Sequence, residues 1–179
     1  MSDPRVLELR IENKRLKEQI TALENKILTL VGMFDIESSG DPSRKNFLND
    51  QILNLINSTK EQLNIVTPKI DDFYAKELKK LVQRGIPIIL ISNDRADIPK
   101  EYRPIYDDLK LTEGISMINN PNVRFLLLFN SEQAVYAGSS LVKEELANAI
   151  LIVTSVREKS KLRKISQIFS LMLPSFMRK

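Results

Sequence analysis

The sequence predicts an α/β domain, with a mixed sheet flanked by helices, preceded by a long N-terminal coiled-coil helix. Hydrophobic residues recur at heptad spacing near the N-terminus, and short apolar segments then alternate with amphipathic stretches of helical period. An antiparallel hairpin pattern in the second half makes the sheet mixed rather than wholly parallel. We divide the chain into a parallel dimeric coiled coil (1–36), a linker (37–46) and a globular α/β domain (47–179).

The N-terminal heptads predict a parallel homodimer. Leucine fills four successive d positions and β-branched residues fill most a positions, a combination that favours two parallel strands. Asn13 lies at an a position, where a buried asparagine can pair with its symmetry mate and disfavour other registers. The alternative is a single amphipathic helix that folds back on its own domain. The predicted dimerisation residues are Val6, Leu9, Asn13, Leu16, Ile20, Leu23, Ile27 and Leu30, and Phe34 continues the a positions.

The first half of the globular domain predicts a β-α-β unit. A helix begins at Phe47, and the apolar run 63–67 that follows it is typical of a strand stopped by proline. Asp71 and Asp72 open a second amphipathic helix, since acidic residues cap helix N-termini. The nearly all-apolar run 86–92 then predicts a strand buried on both faces.

The second half predicts further strands and helices joined by clear turns. Ser155 and Glu158 have the spacing of a capping box for the last helix, which Pro174 ends. The predicted elements are a helix at 103–111, a strand at 115–118, a hairpin of 123–129 with 133–136, a short helix at 141–146, a buried strand at 149–154 and a final helix with Leu162, Ile165, Ile168, Phe169 and Met172 on its apolar face.

Composition excludes several classes of chemistry. The chain contains neither cysteine nor histidine, so disulfides, thiolate nucleophiles and imidazole ligands or bases are absent. Carboxylates, lysine, tyrosine and hydroxyls remain for any chemistry, and we predict no metal site and no cofactor. The charged N-terminal segment does not resemble a secretory signal, and no apolar run is long enough to span a bilayer, so we expect a cytoplasmic protein without membrane contact.

From residue 47 onward the order of elements resembles the phospholipase D-like family, on the segments RGIPIIL, NPNVRFLLLF and AGSS. In that family a histidine and a lysine lie two residues apart on the first hairpin strand, an aspartate follows, and the histidine forms a phosphoenzyme intermediate. The matching positions here are Asn122 and Arg124, and no aspartate stands at the expected hairpin site. Because asparagine is not a usable nucleophile, the resemblance implies a domain with no catalytic residues.

The combination of a zipper with a histidine-free phospholipase D-like domain is also similar to the regulatory part of TrmB-like archaeal transcription regulators. If the family cleft persists, the resemblance implies that arginine and the backbone N–H groups after Gly138 suit a phosphate or carboxylate. The alternative is that the Gly-Ser-Ser segment is only a turn and an N-cap and that Arg124 is a surface residue. The predicted ligand-binding residues are Asn122, Arg124, Gly138, Ser139 and Ser140.

The C-terminal end carries the basic excess of the chain. Residues 155–179 hold seven Lys or Arg against one Glu, and Arg157, Lys161 and Lys164 recur at helical spacing. We predict that these three side chains lie opposite the apolar face of the last helix and contact nucleic acid phosphates. The alternative is an ordinary solvated helix face.

The sequence thus predicts a non-catalytic, dimeric regulatory or scaffold protein, related to transcription, that binds a protein partner or a small anionic ligand. One alternative is a nucleic-acid-binding accessory protein that uses the basic C-terminal helix. Another is a residual phosphodiesterase or nuclease, which would need carboxylates such as Asp71 and Asp72, or Asp107 and Asp108, to hold a metal.

Overall fold

The structure is a computed structural model that describes residues 4–31, 33–39 and 44–177. Two short 3-10 turns, Lys100–Tyr102 and Ser175–Met177, accompany six α-helices and seven strands in this described part. In chain order the elements are α1 (Pro4–Val31), β1 (Phe34–Ser38), α2 (Phe47–Ser58), β2 (Leu63–Val66), α3 (Asp72–Gln83), β3 (Ile88–Ser92), α4 (Arg103–Leu111), β4 (Ile115–Asn119), β5 (Leu126–Phe129), β6 (Ala134–Ala137), α5 (Lys143–Asn148), β7 (Ile152–Val156) and α6 (Lys159–Met172).

The strands form one mixed sheet in the order β1-β7-β6-β5-β2-β3-β4. β2, β3 and β4 are parallel to one another, which confirms the predicted β-α-β unit. β5 and β6 form the predicted antiparallel hairpin, and β7 and β1 continue antiparallel from it. The predicted mixed α/β architecture is therefore confirmed.

The crossover helix α3 begins and ends as its sequence indicates. The Asp71 carboxylate accepts a hydrogen bond from the Tyr74 backbone N–H at 2.9 Å, which caps the helix. Leu78 and Leu81 are fully buried on its inner face. Gly85 follows the helix with φ +81°, the left-handed conformation that glycine adopts at many helix ends.

Helices cover the two faces of the sheet unequally. One face packs against α2, α3, α4 and α5 around a large core that includes Ile65, Leu90 and Leu128. The other face packs against α6 around a smaller core, in which the Phe129 and Phe169 rings meet edge to face at 5.1 Å between centroids. Because α6 lies over only part of this second face, the strands toward β1 stay open on that side.

The junction between the predicted coiled coil and linker differs from the structure. α1 ends at Val31, and Phe34 begins β1, whose residues pair one to one with β7 from Val156 back to Ile152. The extended backbone of β1 thereby satisfies the outer hydrogen-bonding edge of β7. Phe34 is therefore a strand residue rather than a heptad position, and the first part of the predicted linker belongs to the sheet; residues 40–43 of that linker lie outside the described part.

The predicted capping box of the last helix is wrong. Ser155 lies within β7, where its hydroxyl accepts a hydrogen bond from the Gln51 side chain at 2.9 Å. α6 begins only at Lys159, with Glu158 as its N-cap and no side-chain capping bond. β7 is also less buried than predicted: Ile152 is 70% exposed, because it lies on the part of the second sheet face that α6 does not cover.

Candidate functional site

The predicted ligand residues lie at one edge of the sheet. β5 and β6 pair with Leu126 opposite Ala137, so the residues before β5 and those after β6 lie at the same end. β2 runs antiparallel to β5, so its carboxyl end lies there too. The topology brings Arg124 and 138–140 to the edge where open α/β sheets commonly bind ligands.

Asn122 and Arg124 are both exposed and lie on the turn before β5. The Arg124 guanidinium donates from Nη1 to the Pro121 and Val123 carbonyls, at 2.8 and 2.9 Å. The Asn122 backbone N–H donates to the Asn120 side chain at 3.0 Å. These bonds fold the turn, so β5 begins at Leu126 rather than at the predicted residue 123. They also hold the arginine cation against its own backbone.

The Gly-Ser-Ser segment continues β6 toward the residues after β2. The N–H of Leu141, which follows Ser140, donates to the Thr67 hydroxyl at 2.9 Å and the Lys69 carbonyl at 3.2 Å. Gly138 is exposed, Ser139 is half-buried and Ser140 is buried. Val142 is the N-cap of α5, so neither serine is the predicted cap of that helix.

Lys69 is a cation at this edge that the sequence reasoning missed. Its ammonium pairs with Glu145 at 2.6 Å and lies 4.8 Å from the centre of the Tyr102 ring. Burial works against the charged form, but the hydrogen bond and charge of Glu145 outweigh it, so the pKa of Lys69 is raised. Its position just after a parallel strand was the available signal, because ligands collect at the carboxyl ends of such strands.

Asp71 serves two helices. One carboxylate oxygen accepts from the Tyr74 N–H at the start of α3, and the other accepts from the Lys143 N–H at the start of α5, at 2.7 Å. The Tyr74 hydroxyl donates to Asn49 at 2.6 Å, and burial together with the negative charge of Asp71 raises the pKa of this phenol. Asp71 thus joins helices rather than facing a ligand.

The other acidic residues considered for metal binding have basic partners. Asp72 pairs with Lys76, and Asp108 pairs with Lys79. Two hydrogen bonds from Arg95, at 2.7 and 2.8 Å, lower the pKa of Asp107. Among the described residues, no group of three or more acidic side chains is placed to hold a metal ion.

The basic residues near α6 differ from the predicted stripe. Arg157 precedes the helix, and its backbone N–H donates to the Met33 carbonyl at 2.6 Å. Lys161 and Lys164 are exposed in the helix, but they flank its apolar side instead of lying opposite it. Lys161 lies four residues before Ile165 and Lys164 four residues before Ile168, so each shares a side of the helix with an apolar residue, and the predicted placement is wrong.

The heptad residues of α1 whose side chains the structure describes are exposed within one chain. Leu16, Ile20, Leu23 and Ile27 are 51–59% exposed, and Asn13 is exposed as well. The side chains of Val6, Leu9 and Leu30 lie outside the described part, as does the predicted N-cap Asp3. The four described apolar side chains are thus not covered by their own domain.

An apolar groove of about 420 Å³ lies between α6 and the open half of the second sheet face. Phe34, Tyr136 and Ile168 line it and are 44–52% exposed. Ile36 and Ile152, which follow on the same face of β1 and β7, are 61% and 70% exposed. We call these five residues the bare face. Monomeric proteins seldom expose contiguous apolar surface of this kind, which usually marks an interaction site.

Comparison with solved structures shows the fold. NucT from Helicobacter pylori matches with a TM-score of 0.65 at 13% identity, covering 78% of this chain and 95% of NucT. Nuc from Salmonella typhimurium, a phospholipase D family member, matches with a TM-score of 0.60 at 11% identity, covering 76% of this chain and 90% of Nuc. The chain has a phospholipase D-like fold.

A third match reaches into the N-terminal helix. TrmBL2, an archaeal chromatin protein described as having a novel mode of DNA binding, matches with a TM-score of 0.58 at 12% identity. The match covers 94% of this chain, which is more than the part after α1 supplies, and 63% of TrmBL2. No protein-family model and no curated protein matches the sequence. In the described part of the chain, no helix has the length and apolar composition of a membrane span.

Proposed function

We propose that the chain is a non-catalytic dimeric regulatory or scaffold protein, related to transcription, that binds a protein partner or anionic ligand. The observation that carries the proposal is the bare face, which begins three residues after α1 ends. We assign a second copy of this chain as its occupant. The heptad residues of α1 and the bare face then both contact a second copy of the chain.

The connection between α1 and β1 supports this assignment. Three residues of chain reach at most about 11 Å, so Phe34 lies close to the C-terminal end of α1. The helix axes of a two-stranded coil are about 8–10 Å apart. Pairing of the two α1 helices therefore holds two bare faces near each other and raises the effective concentration for their contact.

The lack of histidine supports the non-catalytic part of the proposal. Asn122 and Arg124 stand where the phospholipase D-like resemblance implies histidine and lysine, and the whole sequence contains no histidine. Arg124 is hydrogen-bonded to its own turn, and Lys69 is paired with Glu145. An arginine and a lysine held in the protonated form are neither nucleophiles nor general bases, so they do not replace the missing histidine.

Sedimentation equilibrium of the full chain tests the proposal. We expect a species of twice the 20.6 kDa chain mass. The double substitution Leu16→Glu and Leu23→Glu places charges in the zipper core and should weaken dimerisation at least about 100-fold, because a buried charge without a partner is costly. The double substitution Ile36→Lys and Ile152→Lys should also weaken it, by about 10-fold or more.

Two control variants separate the interface from general effects. Thr21→Glu with Ala22→Glu adds the same charge at heptad positions b and c and should leave the dimer intact. Leu111→Lys changes a residue that is 86% exposed on α4, in the opposite layer, and should have no effect. A monomeric wild-type chain would contradict the proposal, and an unchanged dimer in the Ile36 and Ile152 variant would remove the bare face from it.

Nucleic acid binding is a second candidate function. Arg157, Lys159, Lys161, Arg163 and Lys164 are all exposed, and none forms a salt bridge within the described part of the chain. Uncompensated cations on α6 and just before it attract phosphates without reading sequence. The DNA binding named for TrmBL2 adds support to this candidate.

Fluorescence anisotropy with short duplex DNA across a salt series tests this candidate. We expect affinity to fall steeply with salt and to depend little on sequence. Changing Arg157, Lys161 and Lys164 to Glu should remove binding at moderate salt and reduce the slope of log affinity against log salt by about 2 to 3. The matched control changes Lys76, Lys80 and Lys110, on α3 and α4, to Glu. An equal loss in both variants would mean that net charge alone attracts DNA.

A further inference from the structure

A polar depression lies at the edge of the sheet opposite the predicted ligand residues. It has a volume of about 390 Å³ and opens between the first turns of α6, the start of β2 and the β5–β6 turn. Volumes of this size are typical of sites for small molecules. The depression is lined by Glu61, Gln62, Asn64, Phe129, Asn130, Ser131, Lys159, Leu162, Arg163 and Ser166.

Asn64 is the buried polar group of this depression. It lies in β2 between apolar neighbours and is only 9% exposed. Its Oδ1 accepts a hydrogen bond from the Gln62 side chain at 2.6 Å, whereas its Nδ2 donates to no residue in the described part of the chain. The Nδ2 group reaches the opening of the depression, where it can donate to an acceptor on a bound molecule.

The charges around Asn64 indicate the sign of that acceptor. Lys159 and Arg163 lie one turn apart on α6 and are exposed, while Glu61 is the one acidic residue among the lining side chains. The depression therefore has a net positive charge. It also lies beside the N-terminal turn of α6, where the helix dipole favours negative charge.

The remaining lining residues give the depression a rigid wall and an apolar floor. The Asn130 amide donates to the Thr59 hydroxyl at 3.0 Å, and its oxygen accepts the Glu132 and Gln133 N–H groups, so this side chain is fixed by the protein itself. Phe129 and Leu162 are buried beneath the opening. A ligand for this site combines an anionic group with a short apolar body.

We propose that this depression, with Asn64, Lys159 and Arg163, binds a small organic anion that carries a phosphate or carboxylate next to an apolar group. The site is separate from the predicted one, which lies at the other edge of the sheet. It is also separate from the bare face, because Lys159 and Arg163 lie on the opposite flank of α6 from Lys161 and Lys164. The proposal therefore does not depend on dimerisation or on nucleic acid binding.

Titration of the full chain with phenyl phosphate, followed by ¹H–¹⁵N NMR, tests the site. We expect saturable shifts of the Asn64 side-chain amide and the Arg163 Nε–H, with weaker binding of inorganic phosphate and none of benzyl alcohol. Asn64→Leu keeps the side-chain size but removes the donor, and should weaken phenyl phosphate binding about 10-fold or more, because hydrogen bonds to charged groups are strong. The melting temperature of this variant checks that the fold is intact, because the substitution also removes the hydrogen bond from Gln62.

Arg163→Gln gives a second test that does not alter the core. It should weaken phenyl phosphate binding, whereas Lys161→Gln, the same charge change on the other flank of α6, should not. Equal losses of phenyl phosphate affinity in these two variants would mean that the net charge of the protein attracts the anion, and this result would overturn the proposed site. Absence of shifts at Asn64 with millimolar phenyl phosphate, or unchanged affinity in Asn64→Leu, would overturn it as well.

Discussion

Asp71→Ala should lower the free energy of unfolding by about 2 to 4 kcal/mol, an unusually large effect for a partly exposed side chain. The reason is that one carboxylate caps two helices: it accepts the Tyr74 N–H at 2.9 Å and the Lys143 N–H at 2.7 Å. Each lost cap is worth about 1 to 2 kcal/mol. Urea unfolding followed by circular dichroism measures the difference.

Two neighbouring substitutions make this prediction specific. Asp71→Asn retains an oxygen for one of the two N–H groups and should cost about half as much. Asp72→Ala removes the neighbouring acidic residue, whose ion pair with Lys76 is exposed, and should cost at most about 0.5 kcal/mol. Similar losses in Asp71→Ala and Asp72→Ala would show that the double cap adds nothing to stability.

Most of the globular fold follows from local patterns in the sequence. Helix α3 is marked by an acidic cap, an apolar stripe and a closing glycine, and the structure has all three. The strands β2 and β3 are short apolar runs, and their connection by one helix makes them parallel neighbours. These patterns depend on residues close in sequence, and the structure contains the helix and strands that they predict.

The wrong predictions lie where contacts between residues far apart in the sequence determine the secondary structure. Phe34 fits the heptad spacing, yet it pairs with Val156 near the other end of the chain and becomes part of a strand. Ser155 and Glu158 fit a capping box, yet pairing between β7 and its neighbours takes Ser155 into the sheet. Pairing of distant segments overrides a local pattern when it satisfies an otherwise open strand edge.

The candidate sites were harder to predict than the elements. Asn64 is a single polar residue in the strand sequence LNIV, and only the position of α6 reveals that it borders a depression. Lys69 likewise follows a strand with no motif around it. In contrast, Arg124 and the Gly138 segment were expected together, and the hairpin register brings them to one edge.

The exposure of the bare face also depends on the packing of distant elements and not on the local sequence. Phe34 and Ile36 alternate with acidic residues, a spacing that also suits a strand with one apolar side, but we predicted a coiled coil here, and the sequence does not tell whether such a side is covered. In the structure α6 covers the face over β5 and β2, and leaves these two side chains open. The proposed dimer supplies the missing cover, which is why the zipper and the sheet face have to be tested together.

Gly114→Ala should lower the free energy of unfolding by about 2 to 5 kcal/mol, for two separable reasons. Gly114 has φ +87°, which costs a residue with a side chain about 1 to 2 kcal/mol, and its added Cβ would lie 2.6 Å from Val82 Cγ1. Crowding of this kind adds about 1 to 3 kcal/mol. Gly85→Ala isolates the first cost, because Gly85 has φ +81° and no atom within 4 Å of an added Cβ.

The contact with Val82 can be measured by a double-mutant cycle in urea unfolding. Val82→Ala removes both methyl groups that an alanine at position 114 would meet, so the double mutant should be more stable than the sum of the single losses by about 1 to 3 kcal/mol. Additive losses would mean that the backbone conformation alone explains Gly114. Because α3 and the start of β4 meet at this contact, positive coupling would also test the packing of the β-α-β unit that positions the carboxyl edge of the sheet.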